Sequence, residues 1–139
     1  MKVLFVSTHL PHAGVVSGHQ IVYERIRGLA ARGHEIGLIV FDGAGEEEHA
    51  ASMRPYLREI RFVPRPARCT PAGLLCRSLF RRIPPVYAAS FSAAMEQCIG
   101  VVCERGGYDV ILAEYGTTGQ HLRHNRFLQI GRASCRERV

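Results

Sequence analysis

Two short apolar runs flank a single helical stripe in the first forty residues, and that arrangement constrains the fold more than any other feature of the chain. Lys2 to Ser7 (KVLFVS) is rich in Val, Leu and Phe without polar alternation, as expected of a central parallel strand covered on both faces. Residues 18–32 then carry Ile21, Val22, Ile26, Leu29 and Ala30 at spacings that place one apolar stripe on a helix. Gly33 follows at the position where a left-handed residue closes a helix, and Ile36 to Phe41 forms a second apolar run. Strand, helix, glycine, strand is a βαβ unit.

The alternation continues. Asp42 to Glu48 reads as a polar loop, His49 to Arg58 as a short helix interrupted near Pro55, and Glu59 to Val63 as a third strand. Prolines between residues 64 and 85 frame a helix over Ala72 to Arg82. Phe91, Met95, Cys98, Ile99 and Val102 predict a longer helix over Phe91 to Arg105, closed by Gly106 and Gly107. Asp109 to Glu114 is the fourth strand, and Thr117 to Leu128 starts a further helix. The expected class is α/β, a doubly wound parallel sheet.

The last ten residues break this pattern. IGRASCRERV has neither helical period nor strand alternation. Reverse-translated as ATC GGA AGA GCG TCG TGT AGG GAA AGA GTG, it looks like a common short-read sequencing adapter read in frame, with Gln129 as CAG supplying the leading AG. Residues 1–129 are therefore expected to be one domain, cut at that junction, and residues 130–139 a non-native tail. Without Arg132, Arg136, Arg138 and Glu137, the 18 basic and 12 acidic residues become 15 and 11, a charge of +4 in place of +6.

A length of 139 residues holds one domain. No apolar run approaches the roughly 20 residues of a membrane span, and no signal-peptide core follows Met1, so the cytoplasm is the expected compartment. Five cysteines without a C-x-x-C pair suggest free thiols, mostly buried. Seventeen of the basic residues are arginine, and Arg61, Arg65, Arg68, Arg77, Arg81 and Arg82 fall in a stretch without an acid. That stretch reads either as a solvated face or as a surface for anionic lipid or phosphorylated acceptors, with charge clustering as its one signal. A nucleic-acid interface is disfavoured because only Phe62 and Phe80 interleave the arginines and no recognition motif is present.

Ligands of open parallel sheets bind at the carboxyl ends of the strands. Two segments lie there: Thr8 to Gly18 with the start of the following helix, and Glu114 to Gly119. Gly18, His19 and Gln20 would present helix N-terminal N–H groups to a phosphate or sugar hydroxyl; alternatively, Ser17 caps the helix and Gly18 serves the turn. The G-x-G-x-x-G fingerprint of dinucleotide sites is missing, since this longer loop offers only Gly14 and Gly18. His9, His12 and His19 lack acidic or thiolate companions at metal-ligand spacing, so no metal is expected. His121 and His124 share a face of the last helix. Glu114, followed by Tyr115, Gly116, Thr117 and Thr118, reads either as a group for sugar hydroxyls or proton transfer, or as a strand-end charge or helix-capping partner.

The opening KVLFVSTHLPHAGVVSGHQIVYERIRGLAARGHEIGLIVF, with its proline-bearing loop, Ser-Gly pair and helix closing on R-G-H-E, resembles the N-terminal domain of glycosyltransferase family four, the retaining GT-B enzymes. RSLFRRIPPVYAASFSAAMEQCIGVVCERGGYDVILAE is similar to the middle of that domain. The order of these motifs carries the likeness, which spans nearly all of residues 1–129. It implies a Rossmann-like half of a two-domain enzyme that transfers a sugar from a nucleotide sugar to a carbohydrate or lipid-linked acceptor. No cofactor beyond the sugar-nucleotide substrate is expected; no nucleic-acid partner and at most a peripheral membrane contact are the expectations from the arginine stretch. Gly18 falls at the glycine that approaches the donor diphosphate, so Gly14, Ser17, Gly18, His19, Tyr115 and Thr117 are the donor or acceptor contacts expected here, with Glu114 as the catalytic candidate. Many members have histidine in a D-V-x-H-x-H pattern where this chain has Glu114. The main donor site, an E-x7-E segment with basic residues, is implied for a second domain. A non-catalytic nucleotide- or phosphate-binding module is the rival expectation.

Overall fold

A computed structural model describes residues 1–13, 18–43 and 46–122, without the side chains of 46–48. The strands are β1 (Lys2–Ser7), β2 (Glu35–Phe41), β3 (Glu59–Val63) and β4 (Val110–Ala113); the helices are α1 (Gly18–Ala31), α2 (Glu46–Met53), α3 (Pro71–Arg81), α4 (Pro85–Ser90) and α5 (Ala93–Gly106). All strand pairs are parallel, in the order β3-β2-β1-β4. The chain is a Rossmann-like α/β fold, as the alternation predicts.

The period of two along β1 explains why both faces are covered. Val3 and Phe5 point to one side and join Ile36, Leu38 and Val40 of β2 beneath Val22, Tyr23 and Ile26 of α1 and Met53 of α2. Leu4 and Val6 point to the other side and pack with Ile39, Phe41 and Val63 under Met95, Ile99 and Val102 of α5. Truncating one of the buried Leu, Ile, Met or Phe side chains among them to alanine removes on the order of 2–5 kcal/mol. Gly33, at φ +80, turns the chain from α1 into β2, and its N–H donates to the Ala30 carbonyl.

Several boundaries differ from the sequence reading. α1 buries Tyr23, whereas Ile21, placed on the stripe above, is exposed. The buried line runs through 22, 23 and 26, one helical step from Ile21. The helix expected over 49–58 instead starts at Glu46, inside the expected loop, and gives way to a 3₁₀ turn at Arg54–Tyr56 around Pro55. The helix expected over 91–105 begins at Ala93, because Ser92 is its cap and accepts the Met95 N–H on Oγ at 3.2 Å. Before it lies α4, which the sequence reading missed, opened by Pro85 at a position that loses no helical hydrogen bond. At the end of the described chain only a 3₁₀ turn, Gly119–Leu122, is seen; residues 123–128 of the expected last helix, His124 and the 130–139 tail lie outside the described residues.

The thiols are less buried than expected. Cys103 is buried, and that burial pushes its thiol up to about 11. Cys69 and Cys98 are half-buried, Cys76 is exposed, and Cys135 lies outside the described residues. All four described thiols are free.

His121 is a core residue. Its ring stacks on Phe91 at 5.4 Å and meets Phe41 edge-on. Nε2 accepts the Ser92 N–H at 3.0 Å, so the proton sits on Nδ1, which donates to the Thr118 carbonyl at 3.1 Å. Burial lowers its pKa, partly opposed by the Thr118 bond and the charge of Glu96, while Arg81 lowers it further. A histidine depressed in the folded state stabilises above its unfolded pKa of about 6.5, and that stability is lost as pH falls through the folded value. His121→Gln is therefore expected to lower the urea midpoint most near pH 7.5, with the gap to wild type closing as the pH falls below about 6.5. A gap that widens on acidification contradicts this assignment.

Candidate functional site

Strand order reverses between β1 and β4, since the chain steps from β1 outward to β2 and β3 and returns to the other side of β1. Loops leaving neighbouring strands diverge at such a point and open a crevice. Here the crevice is a cleft of about 580 Å³. Thr8 and His9 after β1, Gly18 and His19 at the start of α1, and Tyr115, Gly116 and Thr117 after β4 line it, with Val86 and Tyr87 of α4 on the remaining side.

Of the site residues expected from sequence, Gly18, His19, Tyr115 and Thr117 thus share one cleft. Gly14 and Ser17 lie outside the described residues. Gly18 is the first residue of α1, and a Cβ there would lie 2.9 Å from the Tyr115 hydroxyl. The space over Gly18 is therefore taken by a phenol, and a ligand reaching the helix start meets that hydroxyl.

Tyr115 is held in an unusual way. Its φ of 68° is left-handed, a conformation that non-glycine residues adopt at a cost of about 1–2 kcal/mol. The fully buried Thr118 secures the turn: its hydroxyl donates to the Glu114 and Tyr115 carbonyls, and its N–H to the Tyr115 carbonyl at 3.1 Å. Burial raises the Tyr115 pKa, and the charge of Glu114 adds to that. The phenol is a neutral hydrogen-bonding group at neutral pH.

Glu114 is not among the residues that line the cleft. It is buried, with 7% of its surface exposed, and both carboxylate oxygens accept from Arg25 Nη1 of α1, at 2.8 and 3.1 Å. Its N–H donates to the Val6 carbonyl. Gly18 and Arg25 lie seven residues apart on one side of α1, so the Tyr115 and Glu114 contacts fasten the β4 loop to the same helix at two levels.

The histidines gather as the loop predicted, with a fourth member that the sequence did not offer. His9 and His12 lie 5.1 and 5.7 Å from His19, and His49 of α2 meets His12 at 4.6 Å. His19 Nδ1 is 3.3 Å from the Leu10 carbonyl. Among the described residues, no three His, Cys, Asp or Glu side chains converge in a way that could hold a metal ion. Arg65 comes to this edge too, donating through Nε to the Asp42 carbonyl and reaching His9 Nδ1 at 3.3 Å.

Tyr87 could not be found from sequence, because nothing local ties α4 to the β4 loop. The tie is Gln120, whose Nε2 donates to the Tyr87 and Thr117 carbonyls at 3.0 and 2.9 Å. The cleft thus offers two imidazoles, two phenols and two threonine hydroxyls beside a helix start. Groups of this kind suit a polyhydroxylated or phosphorylated ligand. No protein-family model and no curated protein matches the chain.

Proposed function

We propose that this is the acceptor-side domain of a GT-B glycosyltransferase similar to family four, which transfers a sugar from a nucleotide sugar to a carbohydrate or lipid-linked acceptor. The observation that carries the reading is the meeting of Gly18 with Tyr115, Gly116 and Thr117 in one cleft at the strand-order reversal. A second domain supplies most donor contacts. In this domain, the first turn of α1 offers N–H groups to the diphosphate, while the Tyr115, Tyr87 and Thr117 hydroxyls and the His9 and His19 rings hold acceptor hydroxyls. Glu114, engaged by Arg25, is a positioning residue that sets the Tyr115 loop rather than a group acting on the sugar.

A self-contained nucleotide- or phosphate-binding module is the second reading. One observation favours it: both faces of the sheet are already covered by helices of this chain.

Gly18→Val separates fold from function. The Tyr115 hydroxyl is the end of a side chain and can give way, so circular dichroism should be unchanged. In the protein that joins this domain to its donor-side domain, kcat/KM should fall about tenfold or more as the phenol is pushed into the cleft. Unaltered kinetics contradict the placement of the site.

A further inference from the structure

Helix α3 is built inside out. Its inward side carries polar groups beside the half-buried Leu74: Ser78 is buried and donates to the Ile83 carbonyl, Arg77 reaches the Ala88 carbonyl, and the Arg81 guanidinium lies 3.6 Å from the centroid of the Phe91 ring. Its apolar side faces outward, with Leu75, Leu79 and Phe80 exposed by 57%, 70% and 95%. Leu75, Cys76, Leu79 and Phe80 repeat at one, four and five residues and form one stripe along the helix. Val86 on α4, the helix packed against α3, is also 62% exposed. Soluble surfaces seldom leave such a stripe uncovered.

Charge identifies what covers it. Arg68 precedes the helix and Arg82 follows it, one at each end of the stripe, while Arg77 and Arg81 hold the Ala88 carbonyl and the Phe91 ring on the other side. Among the described residues, none of the four has a carboxylate within ion-pair distance, and residues 60–82 contain no acid. A second copy presenting the same face would bring the Arg68 and Arg82 charges against their like, whereas anionic headgroups would meet them with opposite charge. The helix is also firmly bounded. Thr70 Oγ1 accepts the Gly73 N–H, Pro71 occupies the first turn, and Arg82 closes the end with φ 52°. At 11 residues it is about 16 Å long, suited to lying in the headgroup plane.

We propose that α3 is an interfacial helix that docks this domain on an anionic phospholipid bilayer, with Leu75, Leu79 and Phe80 at the acyl boundary and Arg68 and Arg82 among the headgroups. None of the described helices is long and apolar enough to cross a membrane, so the contact is peripheral through this helix. Because α4 carries Val86 and Tyr87 into the cleft, docking brings the cleft mouth close to the lipid surface. That last step rests on the transferase reading and favours a lipid-linked acceptor; the docking itself does not depend on it.

The chain contains no tryptophan, so Phe80→Trp places a single indole on the stripe. With the full chain and vesicles of phosphatidylcholine containing about 30% phosphatidylglycerol, indole emission should shift to the blue and the protein should sediment, about tenfold more than with phosphatidylcholine alone at low salt. Leu75→Ser with Leu79→Ser should cut sedimentation about tenfold with unchanged circular dichroism, and Arg68→Gln with Arg82→Gln should do likewise. Equal partition onto the two vesicle types overturns the proposal, as does retained binding by the double serine variant. A blue-shifted indole in vesicle-free buffer at dimer mass overturns it also, since a second copy would then cover the stripe. The assay uses no sugar donor, so its outcome is independent of any transfer measurement.

Discussion

Valine in place of Gly37 is expected to lower stability by about 3–5 kcal/mol, the largest effect of any single substitution considered for this fold. Gly37 sits in β2, hydrogen-bonded between β1 and β3, opposite Leu4 and Glu59. A Cβ there would lie within 2.7 Å of Tyr108 Cζ, and a Cβ on Gly106 within 2.7 Å of Tyr108 Cδ2. The Tyr108 ring therefore fills a slot formed by two missing side chains. Its hydroxyl donates to Glu59 Oε1 at 2.6 Å, and burial followed by this bond pushes its pKa well up. Valine leaves the ring no room, and swinging it out also breaks the bond to a carboxylate. Urea denaturation of Gly37→Val, alone and with Tyr108→Ala, measures the conflict. The pair should cost clearly less than the sum of the single changes, because the second removes what the first collides with. Additive losses contradict the packing.

Arg25→Ala is expected to cost about 2 kcal/mol, more than Glu114→Gln does. The asymmetry comes from burial. Removing the arginine leaves a buried carboxylate without its cation, whereas replacing the glutamate leaves an arginine whose side chain is 44% exposed and hydrated by water. That exposure also keeps the loss below the 3–5 kcal/mol typical of a fully buried broken pair. Arg25→Ala with Glu114→Ala should recover part of the loss. Because the pair fastens the β4 loop to α1, the single variant should also release Tyr115, read as faster amide exchange at Tyr115 and Gly116. Equal losses from both single variants, with exchange unchanged, contradict this bridging role.

The sheet was legible because each strand is a short apolar run and each boundary carries a local marker. Gly33, Gly107 and the apolar register of residues 3–6 act within a few residues of themselves. What escaped the sequence depends on residues far apart in the chain. Nothing near Glu114 announces Arg25, 89 residues away, nor does anything near His12 announce His49. α4 was hidden because six residues between a Pro-Pro pair and the Ser92 cap are too few to show a helical period. The case of α3 is different. Charge clustering was the one signal read there and the apolar stripe was missed; periodicity in any case shows only that a helix has two sides, and not which side turns inward. The polar side turns inward here because Arg77, Ser78 and Arg81 find carbonyls and a ring on the neighbouring segment. Likewise, six arginines that look like one cluster are divided by the fold: Arg61 pairs with Glu59, Arg65 turns to the cleft, and four remain around α3.

On the proposed function, the cleft between β1 and β4 serves a donor held mainly by another domain. Calorimetric titration of the 139-residue chain with a panel of nucleotide sugars tests it most directly, run beside transfer assays on the protein that carries both domains. The single domain should bind none of them tighter than about millimolar, and turnover by the two-domain protein should fall in Gly18→Val. Micromolar donor binding by the 139-residue chain alone would contradict it, and would make this a complete nucleotide-binding module in its own right.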